Sequence, residues 1–260
     1  VTSVHDTRRA LRSRLADGEP VTGTFVKLGS CDVVELAAAA GLDFVVVDLE
    51  HSVLDERDAV ALVRTADLCG LAALVRLPAV QPGLIARLLE SGAAGIQLST
   101  LRTVAESRQL RAACRFAPEG ERSISLANRV AGFGASALAD FLDQEAAAPP
   151  LLVGQIETLV AEPLDEVLRG LDVAFVGTTD LSVSLGLPAA DTLDRAVDSI
   201  REGAESAGVA FGGWAATPAA AAALAPADYV VVGSDLQLLA TGLRSLAGPT
   251  AHANDNPGGT

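Results

Sequence analysis

The residues of this chain best suited to chemistry each stand at or just past the end of a short apolar run. Asp48, Glu50 and His51 follow Asp43-Phe44-Val45-Val46-Val47. Arg76 ends Ala72-Ala73-Leu74-Val75, Glu157 closes Leu151-Leu152-Val153-Gly154-Gln155-Ile156, and Asp180 follows Val173-Ala174-Phe175-Val176-Gly177 by a short turn. Glu157 and Asp180 offer hard oxygen ligands, which suit Mg²⁺ or Mn²⁺ with water and substrate oxygens completing an octahedron. An ion held there by the keto and carboxylate oxygens of a 2-oxo acid acts as a Lewis acid. It makes the adjacent methyl protons acidic and stabilises the enolate. An imidazole is the side chain suited to proton transfer near neutral pH, so His51 is the expected base, with Asp48 or Glu50 fixing its tautomer and raising its basicity. Arg76, permanently charged and forked, is expected to stabilise the enolate oxygen.

Each of these residues also has a purely structural reading. Asp180 before Leu181-Ser182-Val183, and Glu157 before Thr158, can cap the helices that follow them. His51 can be a structural histidine, and Arg76 can pair with a carboxylate at a rim. Capping alone does not account for His, Arg, Glu and Asp closing separate apolar runs, because a parallel α/β architecture gathers the carboxyl ends of its strands at one mouth.

The elements that would position them alternate. Apolar runs near 21–26, 43–48, 72–76, 94–98, 151–156, 172–177, 209–214 and 228–233 read as strands. Ala/Leu-rich amphipathic segments near 31–41, 55–69, 82–92, 103–115, 159–169, 192–207, 217–225 and 235–247 read as helices. The expected fold is an eight-fold α/β (TIM) barrel. A leading helix near 4–16 plugs or flanks the amino-terminal end. Residues 1–250 form a single domain, and 251–260, rich in Asn, Gly and Pro, form a flexible tail. The stretch between the fourth and fifth strands is unusually long. Its part 116–128 carries charge, Gly and Ser but little periodicity, so it either crosses the mouth or extends toward a neighbouring subunit.

Size and charge narrow the function classes. With 260 residues, half of them apolar, the chain can bury one large core. Its formal charge of −14 disfavours nucleic acid and anionic membrane as partners, since phosphate binding relies on clustered Lys and Arg. No run of about 18 apolar residues suggests a membrane span, and the first residues lack the apolar stretch of a secretion signal. Cys31, Cys69 and Cys114 lie far apart, without metal-ligand spacing or a disulfide framework, so a reduced, cytoplasmic setting is expected.

Over about residues 20 to 240 the chain resembles the HpcH/HpaI aldolases, metal-dependent class II pyruvate aldolases acting on hydroxy-oxo-heptanedioate and dehydro-deoxy-glucarate. The resemblance is carried by Gly23-Thr24-Phe25, Asp43 to His51, Val75-Arg76-Leu77-Pro78, Pro118-Glu119-Gly120-Glu121-Arg122, Gln155-Ile156-Glu157 and Phe175 to Ser182. It implies that His51 is the base with Asp48 as its partner, that Arg76 binds and polarises the pyruvyl oxygen, and that Glu157 and Asp180 hold the metal. It also implies a barrel whose last helix swaps between subunits in a homo-oligomer, a hexamer or trimer of dimers. The chain departs from the family at Ser99, where a proline is usual, and at Ser123, where its Pro-x-Gly-x-Arg-Gly segment ends. Thr178-Thr179 replaces Pro-Ala in the Gly-Pro-Ala-Asp turn, and Lys27 is unexpected. The backbone N–H groups of Thr178 and Thr179 are expected to meet a pyruvyl carboxylate, Gln155 and Trp214 are expected to line the acceptor pocket, with packing as the other reading of Trp214, and the Ser99, Ser123 and Thr178 hydroxyls hint at a polar acceptor. The expected activity is formation or cleavage of 4-hydroxy-2-oxo acids, with a 2-oxo acid (pyruvate or oxaloacetate) and an aldehyde or other carbonyl acceptor as partners. Alternatives are oxaloacetate decarboxylation followed by condensation, cleavage of an acyl-CoA ester, and a catalytically silent barrel serving as a scaffold.

Overall fold

The computed structural model describes residues 3–222 and 224–246, and the expected tail lies outside them. Eight parallel strands close into a barrel in sequence order: β1 (Val21–Val26), β2 (Phe44–Asp48), β3 (Ala72–Leu77), β4 (Gly95–Leu98), β5 (Leu151–Ile156), β6 (Val173–Val176), β7 (Ala210–Ala215) and β8 (Tyr229–Ser234). Around them run α1 (Val4–Ala16), α2 (Cys31–Ala39), α3 (Glu56–Cys69), α4 (Pro82–Ser91), α5 (Val104–Cys114) and α6 (Leu138–Ala147). They are followed by α7 (Leu164–Leu168), α8 (Thr178–Ser184), α9 (Ala190–Ala207), α10 (Pro218–Ala222) and α11 (Asp235–Leu246).

Local chemistry explains several boundaries. Asp55 accepts from the backbone N–H of Asp58 while the Asp58 carboxylate accepts from that of Asp55, a capping box that starts α3. Thr103 and Glu106 do the same for α5. The helix expected over 159–169 contracts to α7 because Pro163, its N-cap, has no N–H and its ring is tolerated only at a helix start. α6 and α8 were not expected. α6 buries only Phe141 and Glu145, too narrow a stripe to read as periodicity, and α8 is seven residues long.

The barrel interior is filled by aromatic rings. Phe44 stacks on Tyr229 with centroids 4.3 Å apart, and Phe175 meets Tyr229 and Phe25 edge-on at 6.1 and 6.4 Å. Gly23 makes room, since a Cβ there would stand 2.5 Å from the Phe44 ring.

α1 seals the end opposite the strands' carboxyl termini. Val4 and Leu11 pack on Val21, Ala72, Ala94, Leu151 and Val173 at or beside strand starts, and burial of such a side chain contributes about 1.5–3 kcal/mol. Fully buried Arg8 donates to Glu145 Oε1 and to the carbonyl of Ala93, both at 2.8 Å. His5 Nε2 also meets Glu145 Oε1 at 2.8 Å, and Arg122 donates to Oε2 at 2.8 Å. Burial pushes the Glu145 carboxyl up, but Arg8, His5 and Arg122 outweigh it and hold it well below the usual range. These contacts settle the path of the long connection. Arg122 and Glu145 anchor it against α1, and Arg129 pairs with Asp67 in the last turn of α3, so it packs beneath the barrel and not across the mouth.

Candidate active site

Strand register sets the site. β2 and β3 pair Asp48 with Arg76, β3 and β4 pair Arg76 with Gln97, and β5 and β6 pair Gln155 with Phe175. Above them opens a cavity of ≈ 380 Å³ lined by His51, Arg76, Gln155, Asp180 and Trp214, together with Thr178 and Thr179. Seven of the expected site residues therefore share one wall. Ser123 does not: it lines a separate cavity with Arg122 and Glu121, so its hydroxyl is no acceptor contact in this chain. Ser99 is buried and engaged with Glu50, which leaves Thr178 as the hydroxyl of the three that reaches the cavity.

Asp48 is fully buried. Its Oδ1 accepts from Arg76 Nε at 2.9 Å and from the backbone N–H groups of Glu50 and His51 at 3.1 and 3.2 Å. Its Oδ2 accepts from Arg76 Nη2 at 2.6 Å and stands 3.2 Å from Lys27 Nζ. Burial pushes this carboxyl up, yet the bidentate Arg76 pair and the two N–H groups win and hold it at about 2. Arg76 is fixed from below by the Phe25 ring, 4.3 Å from its Cζ, and its Nη1 carries no hydrogen bond among the described residues.

The partner expected for the base is corrected by this geometry. Asp48 meets His51 through the backbone only, its oxygens being taken by Arg76. The carboxylate beside the imidazole is Glu50, whose Oε2 lies 3.7 Å from His51 Nε2 and 3.4 Å from Arg76 Nε. Glu50 is held by Ser99, which donates to Oε1 at 2.7 Å, while Oε2 is buried without a hydrogen bond. The His51 side chain is 57% exposed and free to meet a ligand.

Glu157 sits one residue past β5, buried, and accepts from Gln155 Nε2 on Oε2 and from the Thr100 hydroxyl on Oε1. Thr100 has φ +49°, a left-handed conformation that costs a β-branched residue about 1–3 kcal/mol. Asp180 lies in the first turn of α8, where Gly177 is the N-cap. Among the described residues neither Glu157 nor Asp180 has an ion-pair partner, and no three His, Cys, Asp or Glu side chains cluster to hold a metal by themselves. A buried carboxylate served only by neutral donors lacks a compensating charge. Gly177 leaves space beside it, since a Cβ there would come within 2.9 Å of Glu157 Oε2. Hard oxygens, uncompensated negative charge and bare backbone fit a divalent cation that completes its shell with other oxygens.

Sequence reasoning passed over Phe25, Gln97 and Thr100, and named Lys27 only as unusual. Gln97 carried a signal, an amide inside an apolar strand. Left-handed Thr100 carried none.

The sequence model of the HpcH/HpaI aldolase/citrate lyase family matches residues 22–241. A hydroxypyruvate/pyruvate aldolase of Paraburkholderia phytofirmans is 32% identical over 78% of this chain and 81% of its own length. One of Deinococcus radiodurans is 33% identical over 90% and 86%. The crystal structure of a family protein from Burkholderia cenocepacia superposes with a TM-score of 0.83 at 30% identity, covering 92% of this chain and 97% of the other. The strand-end residues, the barrel that gathers them and these likenesses together place the chain in the HpcH/HpaI aldolase/citrate lyase family.

Proposed function

We propose that this chain makes and breaks the carbon–carbon bond of 4-hydroxy-2-oxo acids through a pyruvate enolate. It is an aldolase, a carbon–carbon lyase. The observation that carries the substrate class is the mouth cavity, where an imidazole, a guanidinium and a carboxylate line one space next to buried Glu157.

A divalent cation, Mg²⁺ or Mn²⁺, held by Glu157 and Asp180 would supply Lewis acidity at the 2-oxo group. Arg76, its Nε and Nη2 tied to Asp48, offers Nη1 to the oxygen that gains charge as the enolate forms. The first-turn N–H groups at Thr178 and Thr179 meet the substrate carboxylate. In cleavage His51 takes the proton of the 4-hydroxyl, the C3–C4 bond breaks to leave an aldehyde and the enolate, and His51 returns the proton to the enolate carbon to give pyruvate. Glu50 Oε2 beside the ring stabilises the imidazolium. Gln155 and Trp214 line the space for the carbonyl acceptor.

α11 exposes Leu238, Leu239, Leu243 and Leu246, which supports a homo-oligomer in which this helix packs on a neighbouring subunit. Free thiols at Cys31, Cys69 and Cys114 support a reducing, cytoplasmic setting, and no helix among the described residues is long and apolar enough to cross a membrane.

Exchange of the pyruvate methyl protons for deuterium, followed by proton NMR with and without chelator, tests the reading. Metal-loaded protein is expected to exchange and chelated protein is not. Full exchange in the chelated sample, or none in the loaded one, overturns it.

A further inference from the structure

Beneath the mouth a series of hydrogen bonds leads from the barrel interior to Glu157 through Tyr229 and Gln97, which have no part in the proposed chemistry. Tyr229 Oη donates to Gln97 Oε1 at 3.5 Å, Gln97 Nε2 donates to Gln155 Oε1 at 2.8 Å, and Gln155 Nε2 donates to Glu157 Oε2. Tyr229 and Gln97 are fully buried and Gln155 nearly so. An ionised carboxylate only accepts, so Gln155 must turn its NH₂ toward Glu157 and its oxygen toward Gln97. Gln97 must then present its NH₂ to Gln155 and its oxygen to the phenol. Burial pushes the Tyr229 phenol well above its ordinary value, so it keeps the proton it donates. On the other side, left-handed Thr100 donates to Glu157 Oε1. Neutral donors on both oxygens fix the carboxylate without neutralising its charge.

Stability alone does not account for the amides. Apolar side chains of the same volume would fill the barrel and leave no buried polar groups to satisfy.

We propose that Gln97 and Thr100 are positioning residues that lock the Glu157 carboxylate, Gln97 through Gln155 and Thr100 directly, so that its remaining lone pairs face a divalent cation at the barrel mouth. The inference rests on the reading of Glu157 as a metal-binding carboxylate.

The test is a Mn²⁺ titration followed by electron paramagnetic resonance on the full chain, comparing wild type with Gln97→Leu, Thr100→Val, Thr100→Ser and Glu157→Gln. Circular dichroism melts establish that each variant is folded. Gln97→Leu and Thr100→Val are expected to weaken Mn²⁺ binding about 10- to 100-fold, the usual effect of removing a partner behind a metal ligand. Thr100→Ser, which keeps the hydroxyl, is expected to bind like wild type. A purely structural role would lower the melting temperature and leave Mn²⁺ affinity unchanged. If Gln97→Leu fails to fold, Thr100→Val, two residues past the end of β4 and only partly buried, decides. Wild-type affinity in both variants, with Glu157→Gln abolishing binding, overturns the inference and leaves the metal reading standing. Wild-type affinity in Glu157→Gln overturns the metal reading and the inference with it.

Discussion

Asp48 keeps the positive side of the mouth in order, gathering Arg76 and Lys27 on one carboxylate. Its carboxyl is held at about 2 against an ordinary 3.8, so the protein gains stability that is complete above pH ~4 and is lost as pH falls toward 2, on the order of 2 kcal/mol. Urea unfolding between pH 2 and 5 measures this, and Asp48→Asn is expected to flatten the slope across that window. An unchanged slope would assign the acid sensitivity elsewhere. At the base, His51→Ala is expected to slow deuterium exchange into pyruvate about 10²- to 10⁴-fold. Exchange at the wild-type rate would remove His51 from the chemistry. The placement of His51, Arg76 and Asp180 around one cavity, with Glu157 beside it, was legible because a strand's end is a position that apolar runs mark in sequence. Whether Asp48 or Glu50 stands beside the imidazole was not, because that depends on how the chain turns after β2, where backbone N–H groups and Arg76 compete for the same oxygens.

At the scale of the element, the alternation of runs and amphipathic segments disclosed every strand, since buried parallel strands are apolar on both faces. α8 was hidden, although it carries Asp180 and the two threonines, because a seven-residue helix shows no period. Its junction with β6 is strict. Gly177→Ala is expected to displace the Glu157 side chain, whose Cβ and Oε2 would both lie 2.9 Å from the new methyl, and to weaken Mn²⁺ binding. Undiminished binding would mean that the carboxylate has room to move. α6 was hidden for a different reason: one of its two buried residues is charged. Glu145→Ala strands buried Arg8 and Arg122 without their counter-ion and is expected to cost about 3–5 kcal/mol in urea unfolding. A loss under about 1 kcal/mol would show that water or a rearranged Asp compensates both guanidinium groups.

For the molecule as a whole, the barrel was foreseeable from repetition, while the surroundings of α1 depend on partners remote in sequence and those of α11 belong to the proposed homo-oligomer. The leucines of α11 carry the expectation of assembly: Leu239→Glu with Leu243→Glu is expected to shift the particle to a smaller mass in light scattering. Equal masses would place the interface elsewhere. α1 has the opposite character, a short helix whose partners include Ala93, Glu145, Ala148, Pro149, Pro150 and Asp172. During synthesis it leaves the ribosome ahead of these partners, and it cannot dock on them until Asp172 has followed. Its apolar stripe and four arginines wait in solvent meanwhile, within reach of chaperones, and the docking of that helix marks a nascent chain complete through β5 and the start of β6. Pulse-labelled hydrogen exchange during refolding should accordingly find the Leu11 amide protected only after those of β5.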